Sequence, residues 1–103
     1  MLTKEGIRKA QQSFEETDSH LAFIFQTLGD ATRLKMFQLL SRSKGLCVTD
    51  IANVFHISVP AASYQLKFME VTGLVKRERM GKMICYELRR DNPLLKSIIR
   101  LVS

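Results

Sequence analysis

The side chains best suited to chemistry in this chain form no catalytic set. They are a run of small and polar groups, Val59-Pro-Ala-Ala-Ser-Tyr-Gln-Leu-Lys67, and a basic tract, Lys76-Arg-Glu-Arg-Met-Gly-Lys82. Gln65 carries an amide that can pair at two points with adenine. Ser63 and Tyr64 can donate to base edges or phosphate, and Val59 or Pro60 can touch a thymine methyl. Lys67 adds a cation to the same helix side. Around Gly81, Lys76, Arg77, Arg79 and Lys82 could lie along a sugar-phosphate backbone or enter a minor groove, contacts that orient more than they select. Each residue of the polar run reads equally well as ordinary solvated surface, and a charged hairpin also resists edge pairing. His56, between the two candidate helices, suits a phosphate hydrogen bond or a plain surface role; His20 has no Cys or second His near it in sequence.

These groups need rigid elements behind them. Thr49 can cap a helix in which Ile51, Val54 and Phe55 give an apolar stripe, and Ser58 can cap a second with Ala62, Leu66 and Met69 turned inward. After Gly73, Leu74 to Arg79 and Lys82 to Leu88 read as strands about a Met80-Gly81 turn. In the second strand Ile84, Tyr86 and Leu88 face one way, and Met83, Cys85 and Glu87 the other. Two short helices followed by a basic hairpin are the order of a winged helix-turn-helix. Upstream, Leu2 to roughly Asp18 is helix-prone with a thin stripe of Ile7, Ala10 and Phe14, and His20 to Leu28 is denser. Asp30 then caps a core helix carrying Leu34, Met36, Phe37, Leu39 and Leu40. Gly45 to Val48 reads as a brief strand, and Asn92-Pro93 opens a last apolar helix. The expectation is a mainly α fold with a small antiparallel sheet: five to six helices and a β-hairpin wing, in one domain over residues 1–103.

Composition agrees. A chain of 103 residues, 46% hydrophobic, can bury one modest core. Sixteen Lys and Arg against ten Asp and Glu leave a net charge of +6, which favours a polyanionic partner and salt-sensitive association. Apolar runs such as Leu21 to Phe25 fall far short of the ~20 residues that cross a bilayer. No secretory pattern follows Lys4, Arg8 and Lys9, so a cytoplasmic protein without membrane contact is expected. Its two cysteines are too few for a disulfide framework. No glycine-rich phosphate cradle and no paired His and carboxylate spacing is present, and catalysis is not expected.

Five segments in register resemble the ArsR/SmtB family of bacterial transcriptional repressors. They are Leu28-Gly-Asp-Ala-Thr-Arg-Leu-Lys-Met-Phe-Gln-Leu-Leu40, Leu46-Cys-Val-Thr-Asp-Ile-Ala52, Ser63-Tyr-Gln-Leu-Lys67, Gly73-Leu-Val75 and the Arg79-to-Tyr86 wing, covering roughly residues 20 to 100. The resemblance implies a homodimeric repressor, paired through its first and last helices, that leaves operator DNA when an inducer binds. The apolar residues Phe14, Phe23, Ile98 and Leu101 call independently for cover that a small core cannot supply. A winged helix used only as a protein-interaction module is the alternative.

Two departures from the family pattern matter. Tyr64 stands where the family usually has histidine. Metal-responsive relatives often carry a second cysteine where this chain has Thr49, and others place Asp, His and Glu ligands on the last helix, where this chain offers only Asp91. No familiar metal set is complete, so no metal or cofactor is assigned and the effector stays open. In a winged helix the strand before the turn motif pairs with the last wing strand, which would make Cys47 and Cys85 cross-strand neighbours. Such a pair suits a thiol switch, or serves as small filler.

Overall fold

Asp30, Ser58 and Asn92 start three helices for one reason. Each lends a side-chain oxygen to a first-turn N–H that has no partner within the helix. The Asp30 carboxylate accepts from the Arg33 N–H at 3.0 Å, Ser58 Oγ from Ala61 at 3.1 Å and Asn92 Oδ1 from Leu94 at 2.9 Å. The computed structural model describes residues 1–15 and 19–102. Its order is α1 (Lys4–Glu15), α2 (Ser19–Leu28), α3 (Ala31–Ser41), β1 (Leu46–Cys47), α4 (Val48–Phe55), α5 (Val59–Thr72), β2 (Val75–Met80), β3 (Met83–Leu88) and α6 (Pro93–Val102). Six helices and an antiparallel sheet of order β1-β3-β2 make the winged helix-turn-helix expected from the sequence.

Helix ends use the usual stops. Gly73, at φ 87°, caps α5 with its N–H on the Met69 and Glu70 carbonyls, a left-handed site where glycine meets no side-chain clash. Between α4 and α5 the corresponding place is taken by His56 at φ 54°, the non-glycine residue of positive φ among the described residues. Arg90 closes α3 from a distance, donating to the Leu40 and Ser41 carbonyls at 2.9 and 3.0 Å. A cation at a helix C-terminus also complements the macrodipole there.

The core is one continuous cluster that reaches from Ile24 to Ile98. Met36, Phe37 and Leu40 of α3 meet Ile51 of α4, Leu66 and Met69 of α5, and Val75, Tyr86 and Leu88 of the sheet, all nearly or fully buried. Each aliphatic side chain so buried contributes about 1.5 to 3 kcal/mol relative to exposure. The buried Thr27 and Thr72 hydroxyls, 3.1 Å apart, also reach the Phe23 and Phe68 carbonyls one turn back, so no hydroxyl is stranded. His20 Nε2 lies 2.8 Å from the Thr72 carbonyl oxygen, which ties the start of α2 to the end of α5.

Several boundaries differ from the sequence expectation. The first helix begins at Lys4, with Thr3 Oγ1 accepting from Gly6 at 3.0 Å, and its expected end at Asp18 lies outside the described residues. Cys47, not Thr49, holds the N-cap position of α4, because the strand ends one residue earlier than the alternation suggested and Val48 turns inward as the first helical residue. Val54 is 52% exposed, and the stripe of α4 is Val48, Ile51, Ala52 and the partly buried Phe55. The wing turns at Gly81-Lys82, with Met80 opposite Met83. Positive φ at a first-position glycine belongs to the primed turns that match strand twist. Ile98 is buried within its own chain, at 5% exposure, so it needs no external cover.

Candidate nucleic-acid interface

The inward face of α5 is fixed by Ala62, Leu66 and Met69, each with no exposed area. The opposite side is thereby presented outward: Val59, Pro60, Tyr64 and Lys67 are exposed, and Ser63 and Gln65 are half-buried. Pro60 falls in the first turn of α5, where a missing N–H costs nothing. Of the candidate reading residues, Gln65 has the most defined surroundings. Its Oε1 accepts from an Arg33 guanidinium nitrogen at 3.1 Å, while Arg33 Nε donates to the Thr27 carbonyl at 2.9 Å and the guanidinium carbon lies 4.4 Å from the Phe68 ring centre. Phe68 stacks in turn on Phe23 at 6.2 Å. The amide oxygen keeps a second lone pair and the amide NH2 keeps both donors, so two-point pairing with a base stays available. Arg33, in the first turn of α3, is not among the site residues expected from the sequence. Nothing in local spacing links it to a glutamine 32 positions away.

The wing's cations are not equivalent. Lys76 Nζ is 3.1 Å from Glu87 across the β2–β3 pair, and Arg77 Nε is 3.9 Å from Glu70 of α5. Both pairs are half-exposed and add little to stability, but they offset positive charge at the root of the hairpin. At the tip, Arg79 Nε donates to the Gly81 carbonyl at 3.1 Å, and Lys82 occupies the turn itself. Every residue of β2 beyond Val75 is exposed. Among the described residues, the wing's cations with no carboxylate partner are Arg79 and Lys82, and Lys67 of α5 lines the same cleft as Lys82.

Between helix and hairpin runs a cleft of about 340 Å3, lined by Val59, Ser63 and Lys67 on one wall and Arg77, Lys82 and Tyr86 on the other, with Cys47 and Thr49 at its border. Tyr86 has a phenol pKa raised from its ordinary value, first by burial and then by the Glu70 carboxylate, with Arg77 opposing. Its ring lines the cleft. Cys47 and Cys85 face each other in the β1–β3 register and are joined as a disulfide. Among the described residues, no group of three or more His, Cys, Asp or Glu could hold a metal ion, and no helix is long and apolar enough to cross a membrane. His56 is exposed in its left-handed turn beside α5.

A helix-turn-helix whose second helix turns Ser63, Tyr64, Gln65 and Lys67 away from its buried face, followed by a basic antiparallel hairpin, defines a winged helix-turn-helix DNA-binding regulator. The family described as bacterial regulatory protein, arsR family, matches residues 30–77. A cadmium resistance transcriptional regulatory protein CadC homolog of Staphylococcus aureus is 34% identical over 97 residues, which span 93% of this chain and 78% of that protein. A transcriptional repressor SmtB homolog of Synechocystis sp. is 34% identical over 93 residues, 88% of this chain and 69% of that protein. The chain belongs to the ArsR family of bacterial transcriptional regulators. The homodimeric winged helix-turn-helix DNA-binding domain of Mb0332 from Mycobacterium bovis, solved by NMR in solution, superposes with a TM-score of 0.71 at 22% identity, covering 99% of this chain and 86% of that one.

Proposed function

We propose that this protein binds operator DNA in the cytoplasm as a homodimer and represses transcription until an effector releases it. The observation that carries the reading is the paired display of the outward face of α5 and the cationic tip of the wing on two sides of one cleft. In this arrangement Gln65, Ser63 and Tyr64 read base edges, with Val59 and Pro60 against the groove, while Lys67, Arg77, Arg79 and Lys82 hold phosphates and Lys76 supports them from the wing root. Residues 1–103 act as one DNA-binding domain, with α1 and α6 as its dimerisation helices. Support for pairing comes from apolar surface left uncovered at the chain ends: Phe14 is 74% exposed and Leu101 78% exposed. Leu2, Ile7, Ala10 and Phe14 line one apolar groove along α1. A two-fold dimer sets two recognition helices about one helical turn of DNA apart.

A salt titration tests the reading. Duplex fragments selected from a random pool should be bound by a dimer, and log affinity should fall linearly and steeply with log salt as counterions are released. A protein-docking module would instead be indifferent to duplex, and sedimentation of a monomer at operator-binding concentrations would remove the homodimer.

A further inference from the structure

The disulfide links residues 38 positions apart and joins the N-cap of α4 to the return strand of the wing. A regulator of genes works among thiols that the cell keeps reduced, where a disulfide is usually transient and redox-sensing instead of a staple. The surroundings of the two sulfurs are unequal. Cys47 is half-buried, has extended backbone at the N-cap of α4 and makes no capping bond with its side chain. It lies at the positive end of the helix, and Lys67, Arg77 and Lys82 line the cleft that Cys47 borders. Asp50, the acidic residue of that first turn, is exposed to solvent, which screens it. Cys85 is 2% exposed and lies directly across from Glu78 on β2, with Glu87 two residues along the same face. Cys85 is thus the enclosed sulfur of the pair and Cys47 the one that borders the cleft.

We propose that Cys47 and Cys85 form a peroxide-sensing dithiol whose oxidation weakens operator binding, an inference that rests on the DNA-binding reading above. The Cys47 thiolate attacks one peroxide oxygen, the O–O bond breaks, and with one proton taken up a water leaves; Cys47 is then a sulfenic acid. The Cys85 sulfur displaces that hydroxyl: an S–S bond forms, the S–O bond breaks, and the Cys85 proton leaves with the hydroxyl as a second water. Two thiols have lost two electrons, and hydrogen peroxide has been reduced to two waters. The cross-strand register already places the partners face to face, so the second step needs no rearrangement.

The output follows from where the bond lies. β1 has only two residues, and the hairpin beyond Val75 is exposed along its β2 side. With free thiols the root of the wing can adjust as the tip meets phosphate. Oxidation ties that root to the start of α4 and fixes the width of the cleft between wing and α5.

The test compares the full chain reduced, treated with hydrogen peroxide, and as the Cys47→Ser and Cys85→Ser variants, each titrated by fluorescence anisotropy against a selected duplex while intact mass and alkylation count thiols. Peroxide should remove the mass of two hydrogens and weaken binding by about tenfold or more, within the usual range of allosteric coupling, and dithiothreitol should restore both. Both serine variants should bind as the reduced chain does, and Cys85→Ser should stop at a sulfenic acid trapped by dimedone. Two free thiols surviving peroxide, or oxidised and reduced chains of equal affinity, would overturn the dithiol proposal while leaving the operator reading intact. Tighter binding after oxidation would also overturn it. If none of the four forms binds any duplex, the operator reading has failed and the inference goes with it.

Discussion

The two elements proposed to meet DNA are built in opposite ways. Helix α5 sits on a face with no exposed area, its first turn capped by Ser58 and its end closed by Gly73. The wing beyond Val75 has every β2 side chain in solvent and holds its cations through half-exposed ion pairs and one hydrogen bond at the turn. Reading a base needs donors and acceptors held to within a fraction of an ångström, and packing supplies that. Holding a phosphate needs charge within reach, and a hairpin with little packing at its tip supplies it. In the proposed mode of binding, the packed element is the one that reads sequence and the solvent-exposed one is the one that holds the backbone.

That contrast can be broken from either side. The largest effect is expected on the packed side: Leu66→Ala should destabilise the fold by about 2 to 5 kcal/mol, seen as a lower melting temperature. A melting curve unchanged from the wild type would put Leu66 on the wrong face. Next, Gln65→Ala should cost about 1 to 3 kcal/mol of operator affinity and relax preference at one base position. If the variant discriminates among operator mutants as the wild type does, Gln65 reads no base. Arg33→Ala leaves the amide of Gln65 without its anchor, so ordering that side chain on binding should cost about 0.5 to 1.5 kcal/mol. The same mutation combined with Gln65→Ala should add nothing; additive losses would show that Arg33 acts independently. The smallest effect belongs to the wing. Arg79→Ala should weaken all sequences alike and lower the slope of log affinity against log salt by about 1, with melting unchanged. A change in base preference would mean that the tip reads sequence after all.

The same contrast explains what was legible in the sequence. Ala62, Leu66 and Met69 recur at helical spacing, so the buried face of α5, and hence its outward face, could be read directly; so could the caps Asp30 and Ser58. The candidate reading residues follow from that face alone. Val54 defeated the pattern because Ala52, a small residue that any stripe could include or omit, fills the inward place instead. The hairpin turn shifted by one residue because a glycine at positive φ suits either turn position and only strand register decides. Charge compensation at Lys76 and Arg77 depends on that register and on the approach of Glu70, neither of which is local. Arg33 is the clearest loss: its meeting with Gln65 is a product of how α3 crosses α5. The cysteine pairing was readable only as a consequence of the fold, since nothing in their 38-residue separation suggests contact.

His56 at φ 54° has a consequence for how α5 is aimed. A side chain in left-handed backbone costs roughly 1 to 2 kcal/mol, which glycine would avoid. Glycine would also loosen the joint, since it gives the unfolded chain more freedom and the corner more accessible angles. By keeping an imidazole there the chain gives up some stability for a corner with few alternative settings, and the bearing of α5 is held by a stiff elbow in place of a swivel.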